Sequence, residues 1–245
     1  MTNTANQISI ELKNLRLYGL QVIISLVVIP FSYMMVVVLS REMPPPELSY
    51  QLSGFALASL LGSLLVLLAM RVSNIMQPSV LELYATLPVT TAALIVAQVV
   101  TYLGLALPQV VLSLAVSASF APAVRLAPLL AGVLSAVVTF TMVGVGLGLA
   151  IINVHVAQGV LPLLSWTLLL VSPVYYHLER LHGVLWVLAV VNPVTHALNA
   201  VRMPLGFSSV IPLTHSYLYM GCLVALLVAY ALKRVNRIYM IEKIL

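Results

Sequence analysis

The stretch Ser172–Arg202, SPVYYHLERLHGVLWVLAVVNPVTHALNAVR, decides how this chain meets a membrane. It is nearly as apolar as its neighbours, yet it resists being read as a crossing. Pro173 and the pair Asn192-Pro193 interrupt helices, because proline lacks a donor and disfavours helical geometry in the residue before it. Glu179, Arg180, His182 and Arg202 are polar groups that the centre of a lipid layer opposes. A charge there costs roughly 2.5–3.5 kcal/mol on insertion scales. The sequence therefore predicts a re-entrant segment over 176–205, two short helices that dip into the outer half of the membrane and return. Backbone at that depth must be buried in protein or line a wet cavity, so a cavity or a subunit interface is expected above it.

The composition around this stretch agrees with a membrane setting. Of 245 residues, 62% are hydrophobic and 7% are charged, whereas soluble domains carry about a quarter charged residues. This excludes a soluble enzyme and predicts a single transmembrane domain over 1–245. The start, MTNTANQ, lacks the basic residues, short apolar run and cleavage site of a signal peptide, so a retained N-terminus is expected. The one cysteine, Cys222, cannot form an intrachain disulfide. A net charge of +5 raises nucleic acid as a partner. The basic residues flank apolar spans, however, so membrane orientation explains them and no nucleic-acid partner is expected.

Working outward gives an all-α integral membrane protein with six transmembrane helices. Residues 5–17 are amphipathic: Ile8, Leu12 and Leu15 share one face, while Glu11, Lys13, Asn14 and Arg16 lie elsewhere, as in an N-terminal amphipathic interfacial helix. The predicted spans are Tyr18–Leu39, Ser53–Met70, Ala92–Val116, Ala127–Ile151, Gly159–Tyr175 and Leu213–Leu232, each near the ~20 apolar residues that a bilayer requires. Arg41–Tyr50, REMPPPELSY, reads as a rigid external connection. The re-entrant helical hairpin falls between the fifth and sixth spans. Counting it as a seventh crossing would separate the two basic tails. With six crossings Lys13, Arg16, Arg71, Lys233, Arg234, Arg237 and Lys243 lie inside, and Arg41, Arg125, Arg180 and Arg202 outside, so both termini are expected in the cytoplasm.

The order Ser172-Pro173, Leu178-Glu179-Arg180-Leu181, then N-P-x-T-x-A-x-x-x-x-R from Asn192 through Thr195 and Ala197 to Arg202, resembles the end of type-2 ATP-binding-cassette permeases. His177 stands where that family often has proline. The connection between the second and third spans, 71–91, supports the same resemblance. Leu81-Glu82, Ala85, Thr86 and Pro88 are similar to the family's wording around its cytoplasmic coupling helix, although Gln77-Pro78-Ser79 replaces the usual acidic-glycine lead-in. The resemblance implies that Leu81, Glu82, Tyr84, Ala85 and Pro88 couple to an ATP-binding cassette subunit. It also implies a second permease subunit, identical or related, and ATP with Mg bound on the partner, with no cofactor in this chain.

Absence of a phosphate-binding loop can be read directly, because such a loop needs lysine followed by serine or threonine. Lys13, Lys233 and Lys243 are followed by Asn14, Arg234 and Ile244. A non-catalytic subunit is therefore expected. Gly144 and Gly148 have the small-xxx-small spacing of closely packed helices, and Thr139 and Thr141 are candidates for hydrogen bonds between helices. Asn153, Gln158, Ser165 and Thr167 are candidate pathway-lining residues, with helix packing as the competing role. Glu179 and Arg202 are candidates for a charge pair at an outer gate, against a role as structural anchors. His177, Glu179 and His182 lack metalloprotease spacing, and no metal site is expected.

These readings converge on the permease subunit of an ATP-driven exporter in the cytoplasmic membrane, with an amphipathic, lipid-like or drug-like cargo. An ion-coupled secondary transporter would want carboxylates inside spans, and all six acidic residues fall in loops or flanks. A non-transporting membrane scaffold is the other alternative.

Overall fold

The computed structural model describes residues 43–85 and 90–242, together with the isolated positions Lys13, Met35 and Leu39; side chains of 83–85 and 236–242 are not described. The expected interfacial helix at 5–17 and the first span, at 18–39, lie outside the described residues. The described residues contain helices and no strand.

Among the described residues, five helices are long and apolar enough to cross a membrane. They are α1 (Pro45–Ile75), α3 (Thr91–Phe120), α4 (Leu126–Ala150), α5 (Val154–Val171) and α8 (Leu213–Glu242, apolar as far as Val235). Between the first two lies the short α2 (Pro78–Ala85). Between the last two lie α6 (Gly183–Val191) and α7 (Pro193–Arg202), which continues as a tight turn through Leu205. The protein is thus an all-α, multi-pass membrane protein.

The second span is longer than expected at both ends. The run Arg41–Tyr50 was expected to be a connection, but α1 already begins at Pro45. Prolines in a first turn forfeit only donors that have no helical partner, and Glu47 there complements the helix dipole. At the other end Arg71 falls inside the helix, which runs on to Ile75. Over 31 residues α1 extends about 46 Å at 1.5 Å per residue. Its middle, Leu61–Leu67, has the wider hydrogen bonding of a π-helix.

Caps explain several other boundaries. Thr90 accepts from the Ala93 amide at 3.3 Å and starts α3. Asn153 accepts from the His155 and Val156 amides and starts α5 five residues earlier than the hydropathy implies. Asn192 accepts from Val194 N at 2.9 Å, with Pro193 in the first turn of α7. The turn after α7 closes on Gly206, whose φ of +89° suits glycine.

Helix α4 is the centre of the bundle and touches α1, α7 and α8. Glycines make these contacts close. A methyl group at Gly132 would strike the Ala200 carbonyl of α7, and one at Gly144 the Leu64 carbonyl of α1. At Gly148 it would come within 2.7 Å of the Ala69 carbonyl and 2.6 Å of Val72 Cβ. Thr139, expected to bond between helices, instead donates to Ser135 O of its own helix at 2.7 Å. The apolar core follows this packing and includes Leu57, Leu64, Leu68, Phe140, Leu149 and Val201.

Consecutive crossings alternate, so the bundle has two distinct ends. One carries α6 and α7 beside the start of α1, the end of α5 and the start of α8. The other carries α2, the short break Ile151–Asn153 and the end of α8. Ser73 Oγ ties α1 to this second end by donating to the Ile151 carbonyl.

Candidate functional site

At the first end, α6 and α7 meet at a bend of 75°. Their nine and ten residues span about 14 and 15 Å, each roughly half of a bilayer's hydrocarbon. They differ sharply in surroundings. Every residue of α7 from Val194 to Arg202 is buried, whereas Val184, Leu185, Val187, Leu188 and Val191 of α6 are exposed.

Arg202 closes α7 and is 5% exposed. Its Nε donates to Ser53 Oγ at 3.1 Å, and Nη2 donates to the carbonyls of Tyr50 at 2.9 Å and Val174 at 2.7 Å. Nη1 donates to the Pro173 carbonyl. The guanidinium also lies over the Tyr50 ring, 3.4 Å from its centre. One planar cation thereby joins the first turns of α1, the segment leaving α5, and the end of α7. Gly54 makes room for it, since a methyl there would fall 2.9 Å from Nη2 and 2.8 Å from the Val174 carbonyl.

Of the two readings held for Glu179 and Arg202, a charge pair or structural anchors, this geometry favours the anchor for Arg202. Arg202 is not an outward-facing charge, and Glu179 is not its partner: Glu179 is exposed on the short turn Leu178–Arg180, and Arg180 beside it is exposed too. Dipoles solvate the buried cation in place of a carboxylate. Several converging carbonyls can do so because their oxygens carry partial negative charge and would otherwise need donors themselves.

Tyr50 is held from several sides. Its hydroxyl donates to the Tyr176 carbonyl at 2.9 Å and approaches that of Pro173 at 3.4 Å. The His177 ring lies 4.4 Å from it, tilted by 34°, and Phe207 meets it edge-on at 5.4 Å. His177 Nε2 is also 3.9 Å from Glu47 Oε1. Tyr176, between the helices, donates to the Val171 carbonyl at 2.6 Å. Burial, and secondarily Tyr50, push its hydroxyl above the usual phenol range, so it remains a donor.

Two further anchors fix the bent pair. Asn192, at the bend, donates to the Leu168 carbonyl at 2.7 Å and to Ser172 Oγ at 3.0 Å, reaching the end of α5. On α7, Asn199 donates to the Ile211 carbonyl and to Ser216 Oγ, both at 2.8 Å. The His196 ring bonds the Val190 carbonyl at 2.8 Å and Ser216 Oγ at 3.3 Å, and stacks on Tyr219 with centres 4.0 Å apart. These contacts reach α6 and the start of α8.

Sequence reasoning singled out Pro173, Asn192, Pro193 and Arg202, but not Tyr50, Ser53, Asn199 or Ser216. A usable signal was present: Ser49, Ser53 and Gly54 interrupt an apolar run, as a helix does where it must receive a buried polar side chain.

At the opposite end, α2 places Leu81 partly against the apolar core and leaves Glu82 exposed. Leu81 thus packs in part on the chain's own bundle. Tyr84 and Ala85 are in α2 without described side chains, and Pro88 lies outside the described residues. The four candidate lining residues do not share a surface. Asn153 is exposed and occupied as a cap, and Gln158 is exposed. Ser165 is buried. Thr167, about 200° further round α5, is exposed and donates to the Leu163 carbonyl of its own helix at 2.9 Å.

Five helices apolar and long enough to cross a membrane among the described residues, a bent helical pair anchored at one end and a separate short helix at the other define a multi-pass α-helical membrane protein. The profile of the ABC-2 type transporter family matches residues 12–205. The chain belongs to that family, and is a membrane permease component of an ABC transporter, with an ATP-binding cassette subunit as the implied partner. No curated protein matches the chain in sequence.

Proposed function

We propose that this protein is the membrane subunit of an ATP-driven exporter that moves an amphipathic, lipid-like or drug-like cargo across the cytoplasmic membrane. Two permease subunits, identical or related, form the pathway along their shared interface. Both termini and α2 face the cytoplasm, and the bent pair α6–α7 lies outside as the gate. The ATP-binding subunits dock on α2, with Glu82 as the exposed contact, and hydrolysis takes place on them.

The observation that supports this reading is the course of α1. That one helix carries Tyr50 and Ser53, which hold Arg202, and 31 residues in all bring it to Ile75, with two residues between it and α2. A push on α2 would reach α7 through a single packed rod, and reach α5 through the Pro173 and Val174 carbonyls on the same guanidinium. Population of inward- and outward-open forms would then follow nucleotide binding on the partner.

Co-expression with an adjacent ATPase subunit, purification, and ATP turnover in vesicles across candidate cargoes test the proposal. Recovery of the ATPase with the permease and cargo-stimulated turnover are expected. Glu82→Ala should lower that stimulation roughly tenfold, equivalent to about 1.4 kcal/mol, with membrane insertion unchanged. Transport by the permease alone in vesicles would overturn it in favour of a secondary transporter.

A further inference from the structure

Helix α8 runs on past the apolar part of its own sequence. From Leu213 to Leu232 it has the length that crosses a bilayer's hydrocarbon, about 30 Å, and the helix then continues to Glu242. One side of it packs on α4, where Leu227 meets Gly146. The helical repeat sets positions 222, 226, 230, 233 and 237 within about 80° of one another on a different side. Those of them with described side chains, Cys222, Leu226, Tyr230 and Lys233, are all exposed, Leu226 by 70%. Along the axis this stripe changes character in the order of a membrane boundary: apolar at Leu226, an aromatic hydroxyl at Tyr230, and cations from Lys233 onward. Position 237, an arginine, follows about 6 Å beyond Lys233, within the 5–8 Å depth that a headgroup layer has, roughly, on one side of a bilayer. Glu242 comes about 14 Å after Lys233, past that layer and half a turn round the helix. Among the described residues, Lys233 and Arg234 have no carboxylate within 4.0 Å.

We infer that this stripe binds an anionic phospholipid, its acyl chains along Cys222 and Leu226 and its phosphate at the level of positions 233 to 237. The continuity of the stripe carries the choice of occupant. Exposed apolar surface and unpaired charge follow one another on one side of one helix, and a lipid is the partner whose own apolar and anionic parts are joined in that order. An acidic protein surface would complement the cations but leave Leu226 without a match. A zwitterionic lipid brings a cation of its own to the same level and gains less. Positions 233–243 hold four of the chain's eleven Lys and Arg against one carboxylate side chain, a density at which basic segments beside a crossing helix attract anionic headgroups. The site does not depend on the cargo or on the direction of transport.

The test extracts the full chain in a mild detergent from vesicles of equal parts phosphatidylcholine and phosphatidylglycerol with matched acyl chains, and counts the lipid that co-purifies by mass spectrometry. Each basic residue near an anionic surface contributes about a fivefold factor, so a roughly five- to tenfold excess of phosphatidylglycerol is expected. The double variant Lys233→Gln, Arg237→Gln should retain the two lipids equally and melt with the parent in phosphatidylcholine alone, which separates lost binding from lost folding. Lys233→Glu alone, at an exposed position, should lower the excess further than Lys233→Gln alone and gives a second reading of the same site. Arg125→Gln with Arg180→Gln removes two exposed cations at the other end of the bundle and should keep the excess. Equal retention of the two lipids by the parent, or an excess that survives in the double variant, overturns the inference and leaves the cations to water or to a protein partner. Loss of the excess in inorganic phosphate but not in chloride of the same ionic strength overturns it in favour of a free anion.

Discussion

The guanidinium of Arg202 lies 3.4 Å above the centre of the Tyr50 ring while it donates to the Tyr50 carbonyl at 2.9 Å. One side chain thus engages both ring and backbone of the same residue, and a planar fork is needed to do so. Arg202→Leu would leave the Ser53 hydroxyl and the Pro173 and Val174 carbonyls short of a donor in a buried place. Each such group costs about 1–3 kcal/mol, so a loss of several kcal/mol is expected. Arg202→Lys should fall between, because an ammonium has no second nitrogen to reach Ser53 and Val174 together. Thermal melting followed by fluorescence-detected size exclusion reads this order. A lysine variant that melts with the parent would show that charge alone suffices.

Tyr50 separates two contributions. Tyr50→Phe removes the hydroxyl that donates to Tyr176 O at 2.9 Å but keeps the ring under Arg202. A loss of about 1 kcal/mol is expected for that bond. Tyr50→Leu also removes the cation–π contact, worth about 2 kcal/mol more where it is desolvated. Chemical denaturation of the two variants in the same detergent distinguishes them. Equal losses would mean that the ring contributes nothing beyond its volume.

How much of this was legible in the residues differs from element to element. The bend between α6 and α7 was readable because proline punctuation and charge placement are local. Pro173, Asn192-Pro193 and the polar flanks say where helices stop without reference to anything distant. The partner of Arg202 was not readable in that way. Opposite charges suggest a pair with Glu179, but the side chain reaches Tyr50 and Ser53, about 150 positions away, and uses backbone carbonyls, which every residue carries. The start of α1 was missed for a related reason. Three consecutive prolines signal a rigid connection, yet the last two occupy a first helical turn, where they do no harm. The spacing of Gly144 and Gly148 indicated close packing, and the carbonyls they meet, Leu64 and Ala69, required the fold.

Glycine positions on the helices should divide by what their missing side chain would meet. Gly144→Ala places a methyl against the Leu64 carbonyl, backbone that cannot step aside without moving α1 from α4. A destabilisation of about 1–3 kcal/mol is expected, as for other overpacked sites. Gly104 on α3 has nothing within 4 Å of such a methyl. Gly104→Ala should be neutral or stabilise by up to about 1 kcal/mol through helix propensity. Melting temperatures of the pair decide the matter; similar shifts for both would mean that the α1–α4 approach relaxes freely.

The re-entrant course of α6 and α7 predicts a particular pattern of chemical access. The sequence has one cysteine, Cys222, which is exposed on α8 and can be replaced by serine. In that background His182→Cys precedes α6 and Ser208→Cys follows α7, both at exposed positions. If the bent pair returns to its own side, a membrane-impermeant maleimide labels both cysteines in intact cells at similar rates. Ser79→Cys, exposed on α2 at the other end of the bundle, should react only after permeabilisation. The geometry favours this outcome because α7 and the turn after it are tied to the start of α4 by Ala123 N and Arg125 N, which donate to Leu205 O at 3.3 Å and Pro204 O at 3.0 Å. Arg202 ties the same end to the start of α1, and Asn192 ties the bend to the end of α5. Labelling of His182→Cys and Ser208→Cys from opposite faces would make α6 and α7 a broken crossing, move α8 to the reverse orientation and separate the protein's two basic tails.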